Sequence, residues 1–132
     1  IHVANAGRVC RDFTYIDDIV EGVVRVLDRP ARPDLAFDEL APDPATSLAP
    51  HRVYNIGNDR PEELNGLIGL IEEALGRKAD RSDVPLPPGD VLESRADVTA
   101  LRRDVGFAPD TPLAEGVRRF VAWYRGYTAG GA

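Results

Sequence analysis

Three short segments of the chain alternate apolar and polar side chains in the way that β-strands do. Residues 1–3 and 9–16 are separated by the turn-forming Asn5-Ala6-Gly7. A third segment covers residues 52–56 and ends at the turn Gly57-Asn58-Asp59. Each alternates with a period of two, so the pattern predicts three short strands.

Four further segments repeat apolar residues at helical spacing. The first helix is expected to begin at Asp17 or Asp18, one of which caps it while both complement its dipole, and to end at Pro30. The second begins near Pro61 and stops at Gly76. The apolar stripes of these two helices are Ile19, Val20, Val23, Val24 and Leu27, and Leu64, Leu67, Ile68, Ile71 and Leu75.

The last two helices lie in the final third of the chain. Asp97 is expected to cap the third, which stops at Gly106, and Thr111-Pro112 opens the fourth. Their stripes are Val98, Leu101 and Val105, and Leu113, Val117, Phe120 and Tyr124. Residues 128–132 are predicted to be a frayed tail.

These elements predict an α+β region with about four helices and three short strands. Residues 1–127 show neither an internal repeat nor a domain boundary. Residues 30–50 hold five of the eleven prolines, together with several acidic side chains, and are expected to form a long solvated loop. No series of βαβ units is present that could build a parallel sheet, so a Rossmann core is not expected within these residues.

The composition argues against several classes of protein. The 132 residues include no methionine and begin with Ile1, so we expect a piece of a longer protein. The net charge of −6 argues against a nucleic acid or an anionic membrane as a partner. No apolar run approaches the roughly 20 residues of a membrane span. A single cysteine, Cys10, cannot form an internal disulfide, which favours a reducing compartment such as the cytoplasm.

The chain offers few residues for metal binding or nucleophilic catalysis. His2, His51 and Cys10 do not have the spacing of zinc ligands, so no metal site is predicted. There is no Gly-x-Ser-x-Gly elbow and no glycine-rich turn between a strand and a helix. We therefore predict neither a catalytic residue nor a cofactor-binding residue in this chain.

Arg11 and Phe13 fall on the same face of the second predicted strand. A guanidinium beside an aromatic ring suits a diphosphate, because the planar fork binds two phosphate oxygens and the ring supplies an apolar wall. The alternative is a surface ion pair between Arg11 and Asp12, or another acid, with Phe13 in the core. The residue types alone favour the ion pair.

Pro88-Gly89-Asp90 is a second candidate for ligand binding. Glycine lets the backbone approach a ligand closely, and a carboxylate accepts two hydrogen bonds from a vicinal diol such as that of a ribose. The alternative is a plain turn, which the residue types alone favour.

Residues 11–22, Arg-Asp-Phe-Thr-Tyr-Ile-Asp-Asp-Ile-Val-Glu-Gly, are similar to a late motif of the NAD-dependent epimerase/dehydratase family, the extended short-chain dehydrogenases. The closing Phe120-Val121-x-Trp123-Tyr124 resembles the UDP-glucuronate 4-epimerase branch. The resemblance covers nearly the whole chain and is weakest at residues 30–50. Between residues 22 and 120, further motifs follow in the family's order: Tyr54-Asn55-Ile56-Gly57, Pro88-Gly89-Asp90-Val91, Ala96-Asp97, Val105-Gly106-Phe107 and Leu113-x-Glu115-Gly116.

The resemblance implies which part of such an enzyme this chain is. Family members bind NAD in an N-terminal Rossmann domain and use a Tyr-x-x-x-Lys pair while hydride passes between the sugar and NAD. The only lysine here, Lys78, is preceded by Ala74 where the tyrosine would stand. The chain therefore resembles the C-terminal, substrate-binding part. Alone, it is expected neither to bind NAD nor to turn over a UDP-sugar.

The resemblance also assigns roles to individual residues. Arg11 would hold the UDP diphosphate, Phe13 would line the same pocket, and Asp90 would bind the ribose hydroxyls. Backbone groups near His2 and Ala4 would meet the uracil base.

Two positions depart from the family pattern. A polar residue usually stands where this chain has Pro87, and an aromatic where it has Arg95. The first departure puts one phosphate or ribose contact in question, while the second affects packing.

Several functions remain open at this stage. The leading one is a UDP-glucuronate 4-epimerase acting as a homodimer, with UDP-glucose 4-epimerase, UDP-glucuronate decarboxylase and nucleotide-sugar dehydratase as alternatives within the family. Alternatives of another class are a non-catalytic binding module and a remnant that does not fold alone. The apolar stripes need a partner surface, and a small chain with a long loop buries little area.

Overall fold

The computed structural model of the chain describes residues 1–130. Within them, four helices are combined with four short strands and one 3-10 turn, Asn5–Gly7. The strands are β1 (His2–Ala4), β2 (Cys10–Arg11), β3 (Glu62–Glu63) and β4 (Ser82–Val84). The helices are α1 (Ile16–Leu27), α2 (Leu64–Leu75), α3 (Thr99–Val105) and α4 (Leu113–Ala129). A small α+β region with four helices and few strands is therefore confirmed.

The strands form two separate two-stranded sheets. β1 pairs in parallel with β4, with Val3 opposite Asp83. β2 pairs antiparallel with β3, with Arg11 opposite Glu62. The first predicted strand, residues 1–3, overlaps β1, and the second, residues 9–16, contains the much shorter β2. β3 and β4 were not predicted, because their short sequences carry no apolar alternation.

The third predicted strand, residues 52–56, is wrong as a sheet strand. Burial alternates along it as in a strand, but Arg52 forms only an isolated bridge, with Thr46. One backbone hydrogen bond, from Val53 to the Ala45 carbonyl at 3.0 Å, and several side chains hold the segment. Arg52 forms a 2.9 Å ion pair with Asp104, and Asn55 donates to the carbonyl of Asp97. Alternation reveals an extended conformation, whereas a sheet also requires a hydrogen-bonding partner at the right register.

The core gathers small and medium apolar side chains from β1 and three of the helices. Leu101 is fully buried, and Val3 and Val98 are 1% exposed. α2 packs against α4. The remaining buried apolar residues are Val9, Ile68, Val105, Val117 and Val121. The stripes predicted for α2, α3 and α4 all contribute residues to this core.

α1 packs in a different way from the other helices. Its buried residue is Gly22, where a Cβ would lie 3.2 Å from Ile56 and 3.4 Å from Phe107. The predicted apolar stripe instead faces outward, with Val24 48% and Leu27 72% exposed. The helix thus packs closely against the rest of the fold at Gly22, and its apolar stripe remains exposed.

The helix ends agree with the sequence at their C-termini better than at their N-termini. Gly76 and Gly106 end α2 and α3 with φ values of 67° and 69°, the left-handed conformation that glycine adopts readily. The cap predicted at Asp17 or Asp18 is wrong, because Tyr15 is the N-cap and both acids lie in the first turn. Asp18 accepts a hydrogen bond from the Thr111 N–H at 3.1 Å instead.

At the C-terminus, α4 extends to Ala129, and the Thr128 hydroxyl donates to the carbonyl of Tyr124. The first two residues of the predicted frayed tail are therefore helical. Residues 131–132 lie outside the described part of the chain.

The loop at residues 30–50 is held by its own polar side chains. The carboxylates of Asp34, Asp38 and Asp43 each accept a hydrogen bond from the backbone N–H two residues further on, at 2.8–3.0 Å. Such local turns order the loop without burying it. Leu35 and Leu40 at its tips are 90% and 96% exposed.

The molecule exposes more surface than its mass predicts. Its accessible area is 9140 Å², against about 6,800 Å² for a compact monomer of this mass. Several of the exposed large apolar side chains lie on α1, α4 and the loop. Among residues 1–130, no helix has the length and apolar character needed to cross a membrane.

Candidate functional site

The structure brings together two candidate ligand-binding residues that are 79 positions apart. The Arg11 Nη2 donates to the Asp90 Oδ1 at 2.8 Å, and its Nη1 donates to the Cys10 carbonyl at 2.8 Å. About a quarter of the Arg11 side chain and a third of the Asp90 side chain remain exposed. This Arg11–Asp90 pair is therefore reachable from solvent, and the ion pair considered as an alternative for Arg11 is formed with Asp90 rather than Asp12.

A tight turn carries Asp90 to this position. The Asp90 N–H donates to the Pro87 carbonyl at 3.1 Å, and Gly89 has a φ of 84°. Proline followed by a residue with positive φ is the arrangement of a type II turn. Pro87, which departs from the family pattern, thus contributes a backbone acceptor, while the Asp90 Oδ1 also accepts from the Val91 N–H at 2.8 Å.

The residues after this turn are attached to β2 by backbone hydrogen bonds. Cys10 donates to the Leu92 carbonyl at 2.8 Å and accepts from the Ser94 N–H at 3.2 Å. The parallel bridge between Cys10 and Glu93 fixes the register. Because Arg11 follows Cys10 directly, this register holds its guanidinium beside Asp90.

Asp12 is the residue of this region that the sequence did not reveal. Its carboxylate accepts backbone N–H groups from Asn58 (3.0 Å), Asp59 (3.1 Å), Arg60 (3.4 Å) and Ala96 (3.0 Å). A carboxylate can satisfy four donors because each oxygen accepts two. No sequence pattern indicates this role, because the donors are main-chain groups of distant loops.

Phe13 lies in an apolar environment rather than at the Arg11–Asp90 pair. It lines a cavity of about 340 Å³ between α2 and α4, together with Tyr15, Leu67, Val117 and other apolar residues. Neither Arg11 nor Asp90 lines that cavity. A role for Phe13 in the diphosphate pocket therefore stays a prediction.

The two residues assigned to the uracil base lie on β1. His2 is exposed and pairs in register with Ser82, while Ala4 is half-buried and pairs with Val84. Their sheet is not the one that carries Arg11, and their role in base binding also stays a prediction.

Arg95, the second departure from the family pattern, is held by an acid. Its Nε donates to the Asp59 Oδ1 at 2.6 Å, and this bond raises the pKa of Arg95. Asp59 also donates its backbone N–H to Asp12. Arg95 is therefore tied to the same loop as Asp12, where an aromatic residue would pack without an ion pair.

Within residues 1–130, the glycine turn after β1 does not fit a dinucleotide, and no group of side chains fits a metal ion. The glycine turn at Asn5–Gly7 follows β1 but leads into β2 rather than a helix, so its N–H groups do not form the usual diphosphate cradle. Within residues 1–130, no three His, Cys, Asp or Glu side chains are grouped closely enough to hold a metal. No step of NAD chemistry can be assigned to these residues.

Sequence comparison finds relatives that match almost the whole chain, although no family model matches it. It is 46% identical over 127 residues to the protein CapI of Staphylococcus aureus, covering 96% of this chain and 38% of CapI. It is 40% identical to a probable UDP-glucuronate 4-epimerase of Rhizobium meliloti, covering 94% of this chain and 37% of that protein. Over almost its whole length, the chain is thus similar to part of a probable UDP-glucuronate 4-epimerase. It spans little more than a third of the length of these relatives.

Comparison with solved structures gives a similar result. The chain superposes on UDP-glucose 4-epimerase of Thermotoga maritima, determined with UDP-glucose, with a TM-score of 0.73, 26% identity and coverage of 97% of this chain and 35% of that one. The chain also superposes on UDP-glucuronic acid 4-epimerase of Bacillus cereus, determined with UDP-glucuronic acid and NAD, with a TM-score of 0.70 and 21% identity. This match covers 96% of this chain and 35% of that one. The second likeness shows the fold alone. Both comparisons are thus consistent with a C-terminal part of the family that the motifs imply.

Proposed function

We propose that this chain is the C-terminal, nucleotide-sugar-binding part of a UDP-glucuronate 4-epimerase. The observation that carries the proposal is the Arg11–Asp90 pair, in which a cation suited to a diphosphate lies beside a carboxylate suited to a ribose. In this proposal the NAD-binding Rossmann domain and the Tyr-x-x-x-Lys pair belong to the two thirds of the relatives that the chain does not match.

The pair would hold a nucleotide diphosphate by exchanging partners. One Arg11 nitrogen is already held by the Cys10 carbonyl, which fixes the direction of the guanidinium. A diphosphate would take the place of Asp90 on the other nitrogen, and the released carboxylate would accept hydrogen bonds from the ribose hydroxyls. Both groups would thus be positioned before the ligand arrives, which reduces the entropy cost of binding.

The uncovered surface of the molecule supports a larger assembly. The outward stripe of α1, including Val20 and Val24, and the aromatic side of α4, including Trp123, are about half exposed. A soluble monomer rarely leaves so much contiguous apolar surface uncovered. We propose that the remainder of a cytoplasmic, homodimeric enzyme covers part of it.

Titration of the purified chain with UDP tests the nucleotide role. Wild type is expected to bind UDP, and R11A to bind it at least about tenfold more weakly, because a charge-assisted hydrogen bond contributes about 1.5–3 kcal/mol. R8A is the matched control, since Arg8 is exposed and lies three residues from the pair. Equal UDP affinity of wild type and R11A would contradict the proposed role.

The reaction itself is tested on the whole protein that contains this chain. With UDP-glucuronate as substrate, NMR of the product is expected to show UDP-galacturonate. UDP-xylose would indicate the decarboxylase, and turnover of UDP-glucose alone would indicate the glucose epimerase. The 132-residue chain alone is expected neither to bind NAD nor to produce any of them.

A non-catalytic binding module is the second candidate. It is favoured by the described residues, which contain the Arg11–Asp90 pair but no turn suited to a dinucleotide. UDP binding by the chain, together with failure of the whole protein to convert any UDP-sugar, would support this candidate over the epimerase.

A further inference from the structure

Asp12 connects three segments that are remote in sequence. It follows β2 directly, and its carboxylate binds the loop that contains Asn58, Asp59 and Arg60 as well as the N–H of Ala96. Together with the bonds from Cys10 to Leu92 and Ser94, this attaches alternate residues 92, 94 and 96 to residues 10–12. The segment that begins with Asp90 is thereby held along β2.

The chemistry of this junction requires a carboxylate. Oδ1 accepts from Asn58 and Arg60, and Oδ2 accepts from Asp59 and Ala96. An amide would keep one acceptor oxygen and turn its NH₂ group toward two N–H donors, where no hydrogen bond can form. The buried or half-buried donors would then lose their partner, which destabilises the local arrangement.

The packing around the carboxylate is equally specific. A Cβ added to Gly57 would lie 2.6 Å from the Asp12 Oδ2 and would also collide with the Ala96 side chain. Both partners are part of the junction itself, so neither can move away without breaking a hydrogen bond. Gly57 is buried and therefore leaves room for the carboxylate and for Ala96 at once.

We propose that Asp12 is a positioning residue for nucleotide binding: it holds the segment 90–96 in register with β2, so that Asp90 and Arg11 face the same ligand. This inference rests on the proposed nucleotide role of the Arg11–Asp90 pair. Asp12 acts through that segment and does not itself touch the nucleotide.

The test compares D12N with D18N in the 132-residue chain. Asp18 is a matched control because it also accepts a backbone N–H across the fold, from Thr111, but has no contact with the segment 90–96. Hydrogen exchange of the Ser94 and Ala96 amides is expected to rise at least about tenfold in D12N and to stay unchanged in D18N. UDP affinity is expected to fall about tenfold in D12N only.

A double-mutant cycle separates positioning from general destabilisation. D12N is expected to weaken UDP binding in the wild-type background and to have little further effect in R11A/D90N, because the contacts it positions are already gone. G57A, which displaces the same carboxylate, should behave as D12N does. Equal losses of affinity in both backgrounds would overturn the proposal.

The outcomes also distinguish this inference from the proposed function. If wild type does not bind UDP but D12N still raises hydrogen exchange at the Ser94 and Ala96 amides, the nucleotide role fails while the positioning of the segment stands. If hydrogen exchange at both amides is as slow in D12N as in D18N, the positioning role is wrong. If D12N and G57A both unfold where D18N stays folded, Asp12 supports the fold as a whole, and the proposal is also wrong.

Discussion

At the residue scale, Asp90 and a phosphate would compete for the same guanidinium. We expect D90N to bind inorganic pyrophosphate up to about fivefold more tightly than wild type, because an exposed ion pair contributes no more than about 1 kcal/mol. The affinity for UDP should rise less than that for pyrophosphate, since Asp90 is also proposed to bind the ribose of UDP. Isothermal titration of both ligands measures the difference.

The control for D90N removes the same charge from another place. Asp83 is exposed on β4, so D83N changes the net charge of the molecule without touching Arg11. An equal gain of pyrophosphate affinity in D83N would mean that net charge, and not release of Arg11, is responsible.

Glu72 is expected to make the stability of the fold depend on pH. Lys78, Arg81 and the Ala79 N–H all bind its carboxylate, and they lower the pKa of Glu72 to about 2. A carboxyl group with a lowered pKa in the folded state stabilises the fold above its unfolded value of 4.5, and this contribution is lost as the pH falls. Stability should therefore decline between about pH 5 and about pH 2.

The measurement compares urea midpoints of wild type and E72Q at pH 6 and pH 3. E72Q should be less stable than wild type at pH 6 and should lose less of its stability on acidification. E73Q, in which an exposed neighbour is changed, should follow wild type. A decline in E72Q as steep as that of wild type would assign acid unfolding to other carboxylates.

At the element scale, one glycine inside α2 and the glycine that caps its C-terminus have opposite expected effects. Gly76 has a φ of 67°, where alanine is strained, while Gly66 lies within the helix, and a Cβ there would meet no atom within 4 Å. We expect G76A to lower the free energy of unfolding by about 1 kcal/mol and G66A to raise it by about 0.5–1 kcal/mol. Chemical unfolding measures both, and a loss of stability in G66A would indicate that this surface of α2 is covered.

The elements also show what the sequence could and could not predict. Gly76 and Gly106 mark helix ends because a helix C-terminus is a local event that one residue can determine. Residues 52–56 have the alternation of a strand, but pairing depends on where other segments lie, and β3 rather than this segment reaches β2. Asp12 was missed for the same reason, since its partners are backbone groups brought together by the fold.

The candidate site was predicted in part. Arg11 and Asp90 could be selected from their chemistry and from the family motifs, but their 2.8 Å contact could not, because 79 residues separate them. The apolar stripe of α1 was correctly recognised as apolar, yet it does not enter the core. Periodicity shows which side of a helix is apolar and leaves open what covers it.

At the scale of the whole molecule, the outward stripe of α1 should respond to its context. In the 132-residue chain, V24E is expected to change stability by less than about 0.5 kcal/mol, because Val24 is 48% exposed. L101A should cost about 2–5 kcal/mol, because Leu101 is fully buried. Thermal unfolding of the two variants gives the comparison.

The same two substitutions in the whole protein complete this prediction. If the rest of the whole protein covers α1, V24E should become strongly destabilising there, while L101A should cost about as much as before. A V24E variant that is equally harmless in both contexts would show that the stripe faces solvent in the intact protein.

The junction at Asp12 has a consequence for how the sequence can change over time. Gly57 makes room for the carboxylate, and the small side chain of Ala96 fills the remaining space, so positions 12, 57 and 96 cannot vary independently. A larger residue at 57 is tolerated only after the acid at 12 is shortened or moved, and that first step leaves several backbone donors without a partner. The three positions should therefore be inherited as one unit, with any successful alternative separated from the present set by a less fit intermediate.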